Sequence, residues 1–121
     1  MFLKLNHQQL EVYQSSKMFV LECYKLTKIL PADEKFGVIS QIRRAALSVH
    51  LNIAEGASRK SAAERKRYYE IARGSIVEID AALDVADELN YLSNSNINNL
   101  GEYTIKTFKI LSGLIEAQTS N

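Results

Sequence analysis

Between Phe36 and Gly56 the chain reads FGVISQIRRAALSVHLNIAEG, and its apolar positions recur with a helical period. Ile39, Ile42, Ala46, Val49 and Ile53 alternate steps of three and four, the seam a helix presents to a bundle core. Leu47 and Leu51 lie about 100–140° further round the helix at 100° per residue, so a second apolar strip faces elsewhere. A third row, Gln41, Ala45, Ser48, Asn52 and Glu55, is small or polar but nearly uncharged. A helix apolar on several sides is buried on several sides, and one small bundle covers only one or two of them. The excess predicts self-association, with Leu47 and Leu51 as the oligomer interface.

The flanking segments carry the same period. A first helix is predicted from about residue 7 to 30, with Asn6 as N-cap. Val12, Phe19, Cys23, Leu26 and Leu30 form its stripe, and Ser16 fills the missing step. Pro31 ends it, because the residue before proline is pushed out of the α conformation. The second helix covers about 36–55, with Gly56 as its C′ residue. Ser61-Ala62-Ala63-Glu64 is a capping-box pattern that starts a third helix, about 62–90. Its apolar face is Tyr69, Ala72, Ile76, Ile79, Leu83 and Ala86. Ser93 to Asn96 reads as a loop with N-cap candidates. A fourth helix, about 96–117, carries Ile97, Leu100, Thr104, Thr107, Phe108, Leu111 and Ile115 before a polar tail. One proline and five glycines in 121 residues fit long uninterrupted helices. Links of about six residues or fewer favour antiparallel neighbours. The fold class expected is therefore all-α: one domain, residues 1–121, built as an up-down-up-down four-helix bundle.

Chemistry is sparse. The two histidines, His7 and His50, fall in different helices, and no Glu-x-x-His pair of the di-iron type occurs. His50 reads as a half-buried, hydrogen-bonded side chain rather than a ligand. Cys23, on an apolar stripe, reads as a small hydrophobe. No glycine-rich loop with a lysine is present to cradle phosphate. No metal, no cofactor and no enzymatic activity are expected. A lone cysteine suits a reducing compartment, MFLKLNHQQLE turns polar after five residues, and no long apolar run spans a membrane. A soluble cytoplasmic protein is the expectation.

Two constellations invite more. If the row Gln41, Ser48, Asn52 and Glu55 were exposed, lysine and glutamate would be the usual choices. With Ser75 and Glu78 on the third helix it suggests a hydrogen-bonded network inside the bundle or across a subunit contact, or else a ligand site. Net charge is only +1, yet Arg43, Arg44, Arg59, Lys60, Arg65, Lys66, Arg67 and Arg73 face just three acidic residues over the same span. Glu78 to Glu88 is the reverse, with five acidic residues and none basic. Cations around the start of a helix oppose its macrodipole, which asks for another purpose. Tyr68 and Tyr69 follow close behind. The cluster can neutralise nucleic-acid phosphates, meet an acidic protein surface or another subunit, or simply be solvated.

The motifs Gln41-Ile42-Arg43-Arg44-Ala45-Ala46, Asn52-Ile53-Ala54-Glu55-Gly56 and Gly74-Ser75-xx-Glu78 resemble small bacterial four-helix-bundle proteins encoded in intervening sequences of 23S ribosomal RNA genes. The accessory variability determinant of diversity-generating retroelements shares the pattern. The resemblance implies a ring-like homopentamer, association with RNA or with a reverse transcriptase, and no established catalysis. Two departures stand out. The family often has proline where this chain has His50, so a kink there is not assured. Retroelement members are strongly basic, whereas this chain has a pI near 7.8. The function expected is a non-enzymatic, nucleic-acid-associated oligomer. The alternative is a protein–protein adaptor without direct nucleic-acid binding.

Overall fold

A computed structural model describes residues 1–93 and 95–119, which form four α-helices and two short 3-10 turns. The helices are α1 Glu11–Thr27, α2 Val38–Ala57, α3 Ala62–Glu88 and α4 Asn98–Thr119, and no strand occurs among the described residues. Asn94 in the expected loop, and Ser120 and Asn121 of the tail, lie outside the described residues. The α2 helix packs on both α1 and α3, and α4 closes the arrangement against α3 and α1. Named pairs cross each contact: Ser16 with His50 and Arg43 with Thr27, then Ser48 with Ser75 and Arg44 with Glu78. Arg73 with Ser112 and Arg65 with Gln118 join α3 to α4, while Ser15 and Thr107 share a buried 2.6 Å bond between α1 and α4.

The apolar stripes meet in one core. Phe19, Ile42, Ile53, Ile76, Ile79 and Leu111 are its largest fully buried side chains. Two members of the expected α4 stripe do not join it. Ile97 and Phe108 stay partly exposed, because they lie at the edge of the apolar arc and line the cleft toward α3.

Local hydrogen bonding moves several helix ends from their expected places. The first helix begins at Glu11, not near residue 7, since Asn6–Gln9 form a 3-10 turn and Leu10 is extended. Asn6 therefore caps nothing; the Gln8 side chain accepts the Leu5 N–H at 3.1 Å instead. α1 ends at Thr27 because the Ile29 and Leu30 N–H groups reach back only three residues, to Leu26 and Thr27. Ala32–Glu34 make the second 3-10 turn, which delays α2 to Val38 and leaves Phe36 outside the helix and exposed. α3 stops at Glu88 rather than Asn90. Asn90 takes the left-handed conformation (φ 62), and the Asn90 and Tyr91 N–H groups satisfy the carbonyls of Asp87 and Ala86. That is a Schellman end with asparagine in the usual glycine role. At the other end of α3, Ser61 Oγ accepts the Glu64 N–H at 3.1 Å. The Glu64 carboxylate, the second half of the expected box, lies 3.8 Å from Arg59 instead.

Gly56 is not a C′ residue. It lies inside α2 with negative φ, and the helix continues through Ala57. Its role is steric. A Cβ there would stand 2.9 Å from Tyr68 Cβ and 3.0 Å from the Tyr69 ring, closer than carbon atoms pack. Gly74, by contrast, has nothing within 4 Å of a Cβ position, so close packing within the chain does not explain it. Gly56→Ala should therefore destabilise the fold by about 1–3 kcal/mol through overpacking. Gly113→Ala, whose Cβ meets open space, should gain about 0.5–1 kcal/mol of helix propensity. Denaturant melts of the two variants give this contrast in sign, and a neutral Gly56→Ala would refute the steric role.

Candidate nucleic-acid interface and the polar seam

The eight basic residues do not form one patch, because the fold spends most of the arginines on itself. Arg43 donates from Nε to Thr27 Oγ1 at 2.8 Å and lies over the Tyr24 ring, tying α2 to α1. Arg44 bonds Gln41 at 2.8 Å and Glu78 at 2.9 Å. Arg73 reaches Ser112 at 3.2 Å and sits over Phe108. Arg65 holds the α2–α3 link by donating to the carbonyls of Lys60 and Arg59, and holds α4 through Gln118. Arg59 pairs with Glu55 at 2.6 Å and stacks on Tyr68, whose hydroxyl also accepts from it. The Glu55 bond, then the Glu55 charge, push the Arg59 pKa further up.

Lys60, Lys66 and Arg67 are left. Among the described residues no ion pair or hydrogen bond engages the charged side chain of any of the three; Lys60 takes part only through its carbonyl, which accepts from Arg65. All three belong to the end of the bundle where α2 turns into α3, alongside Arg59, Arg65 and Tyr68. Arg44 is roughly 20 Å away along α2 at 1.5 Å per residue. Arg73 is turned toward α4. Sequence shows the charges, but only the fold shows which of them are neutralised.

The polar row lies on the outer seam of the α2–α3 pair, not inside the bundle. Ser75 donates to Ser48 Oγ at 2.9 Å, and Asn52 donates to Ser48 Oγ and to the Ser48 carbonyl. Those three are half-buried, whereas Gln41, Glu55 and Glu78 are exposed and attach through Arg44 and Arg59. Leu47 (41% exposed) and Leu51 (60%) project from the outer side of α2 and are not covered within one chain. Ile71, at 42%, joins them from α3. It was missed because it falls off the α3 core stripe. The only clue was an isoleucine on a helix side where a charge is the default.

A second cluster joins α1 to α2. His50 Nδ1 lies 2.7 Å from Ser16 Oγ, and its ring lies 4.5 Å from the Tyr13 ring. His7 meets the same tyrosine edge-on, and Lys17 sits above it. α2 runs unbroken through His50. Ser16 and Cys23 are fully buried, so neither is presented to a substrate. Burial, and secondarily Glu22, push the Cys23 thiol up to about 12. Among the described residues no three potential ligands converge on a metal position, and no helix is long and apolar enough to cross a membrane.

Burial, then the charges of Lys17 and His7, hold His50 below its ordinary 6.5. The unfolded chain therefore takes this proton first. The stability His50 contributes is whole above about pH 6.5 and is lost as pH falls through the depressed folded value. Thermal melts between pH 7.5 and 5 should show falling stability, with a shallower fall in His50→Asn. An identical pH dependence in the two proteins would show that His50 does not contribute.

The family model described as 23S rRNA-intervening sequence protein matches residues 8–113, from before α1 into the second half of α4. No curated protein matches the chain significantly. The matched span takes in the whole α2–α3 pair, its polar seam and its basic end, which are the features that distinguish this chain from a generic helical bundle. On that match, the chain belongs to the family of 23S rRNA-intervening sequence proteins.

Proposed function

We propose that this protein is a non-enzymatic, oligomeric, cytoplasmic protein that associates with RNA or DNA through the basic end of its α2–α3 pair. The observation that carries the reading is the survival of Lys60, Lys66 and Arg67 without acidic partners at one end of the bundle. Arg59 and Arg65 frame them in fixed positions, and Tyr68 adds an aromatic face. Unpaired cations gathered near a helix start oppose its dipole and gain by meeting phosphate. Membership of a family described by 23S rRNA intervening sequences fits that partner class.

The helices run up-down-up-down in this reading. Its support is the order of the cross-helix pairs: Ser16 meets His50 while Thr27 meets Arg43, and Arg65 meets Gln118 while Arg73 meets Ser112. The bundle assembles as a ring-like homopentamer, which covers Leu47, Leu51 and Ile71. Repeating a small cationic patch around a ring raises avidity beyond what one subunit supplies. An adaptor role, such as a partner of a reverse transcriptase, is the second reading. Three carboxylates of α3 (Asp80, Asp84 and Asp87) beside an open apolar groove favour it.

Fluorescence anisotropy with a structured RNA and a single-stranded DNA tests the binding. The logarithm of affinity should fall linearly with the logarithm of salt concentration. The triple variant Lys60→Ala, Lys66→Ala, Arg67→Ala should weaken binding by about tenfold or more and flatten the slope by about 2 for each engaged subunit. Arg73→Ala, already committed to Ser112, should change little. No binding at low salt, or binding unaffected by the triple variant, would transfer the weight to the adaptor reading.

A further inference from the structure

We propose that the groove between α3 and α4 is the seat of a second copy of this chain, which enters it with the outer face of its α2–α3 pair. The inference rests on the oligomeric reading and says which two surfaces meet. The groove encloses about 730 Å3. Val77 and Ala81 line it from α3, Gly101 and Ile105 from α4, and Ile97 from just before α4. Val77 is 55% exposed and Ile105 57%, so both stand open in a single chain. Gly101 deepens the groove, since nothing lies within 4 Å of where its Cβ would be. A smaller extension of about 300 Å3 continues past Thr104 to Phe108.

The α3 rim of this groove is acidic. Asp80, Asp84 and Asp87 line it, and among the described residues none of them has an ion-pair partner. Like charges on neighbouring turns repel, and an incoming cation relieves them. The chain carries the complementary surface itself. Leu47, Leu51 and Ile71 protrude together, and Arg44 precedes Leu47 and Leu51 on the same side of α2. Both hydrogen bonds of Arg44 leave from Nη2, its side chain is 62% exposed, and its remaining N–H groups are available to a carboxylate. A protruding apolar face edged by arginine thus matches a concave apolar groove edged by aspartate.

The two surfaces are different, so the contact is head-to-tail. α3 borders both of them, which places them on adjacent sides of the bundle. Successive copies therefore turn, and such a contact makes a ring where the rotation closes and a helical filament where it does not. A contact of the α2–α3 face with itself would stop at a dimer.

Two single variants test this, each altering an exposed residue so that the bundle itself persists, as circular dichroism would check. Leu51→Glu blocks the protruding face, and Ile105→Glu blocks the groove. By light scattering after size exclusion, each variant alone should be monomeric, whereas an equimolar mixture should form a one-to-one dimer through the one intact pair of faces. If Ile105→Glu keeps the mass of the unaltered protein, the groove is not the seat and the proposal falls, leaving the groove to another occupant. Self-dimers of Leu51→Glu would overturn it too, by showing that like faces meet. An unaltered protein that is itself monomeric would instead remove the oligomeric reading on which the inference stands.

Discussion

The close approach of α2 to the start of α3 governs the architecture. At Gly56 only hydrogen fits between the helix backbone and the side chains of Tyr68 and Tyr69. Helices held that near leave little room along their seam. Small polar groups fit there, and Ser48, Asn52 and Ser75 fill the gap while satisfying one another. The same closeness forces a short turn between Ala57 and Ala62, and Arg65 and Arg59 hold that turn through its carbonyls and through Glu55. The nearly uncharged row on α2 is thus a consequence of helix spacing.

Guanidinium groups do most of this internal bonding. Arg43, Arg44, Arg59, Arg65 and Arg73 each engage a partner, several of them through two atoms or over an aromatic face. A planar fork with five donors suits that work, whereas a lysine ammonium is a compact, strongly hydrated charge. Of the eight clustered cations, those left to solvent are accordingly two lysines and one arginine. That division separates structural arginines from the residues proposed to meet phosphate, and a chain with net charge +1 can still present a local cationic surface.

Helix number and core stripes were legible because burial imposes a 3.6-residue period over many turns, as with Val12 through Leu26 or Tyr69 through Ala86. Helix ends were less so, since single hydrogen bonds decide them: the Gln8 bond to Leu5, the left-handed Asn90, the 3-10 turn after Pro31. Gly56 shows the limit most clearly. In sequence it ends an apolar run like any C′ glycine, and only the tyrosines across the seam reveal its purpose. The basic cluster was visible as composition but not as pairing, which depends on residues such as Thr27, Glu78 and Gln118 far along the chain. Ile71, Val77 and Ile105 escaped notice because isolated apolar residues off a core stripe are ordinary on protein surfaces. Their significance comes from where the fold gathers them.

The proposed assembly would cover Leu47, Leu51 and Ile71, which a single bundle leaves exposed. The native mass of the full chain in solution tests it most directly. At micromolar concentration and moderate salt, light scattering should give about five times the 13.6 kDa chain mass. A single species at 13.6 kDa would contradict the account.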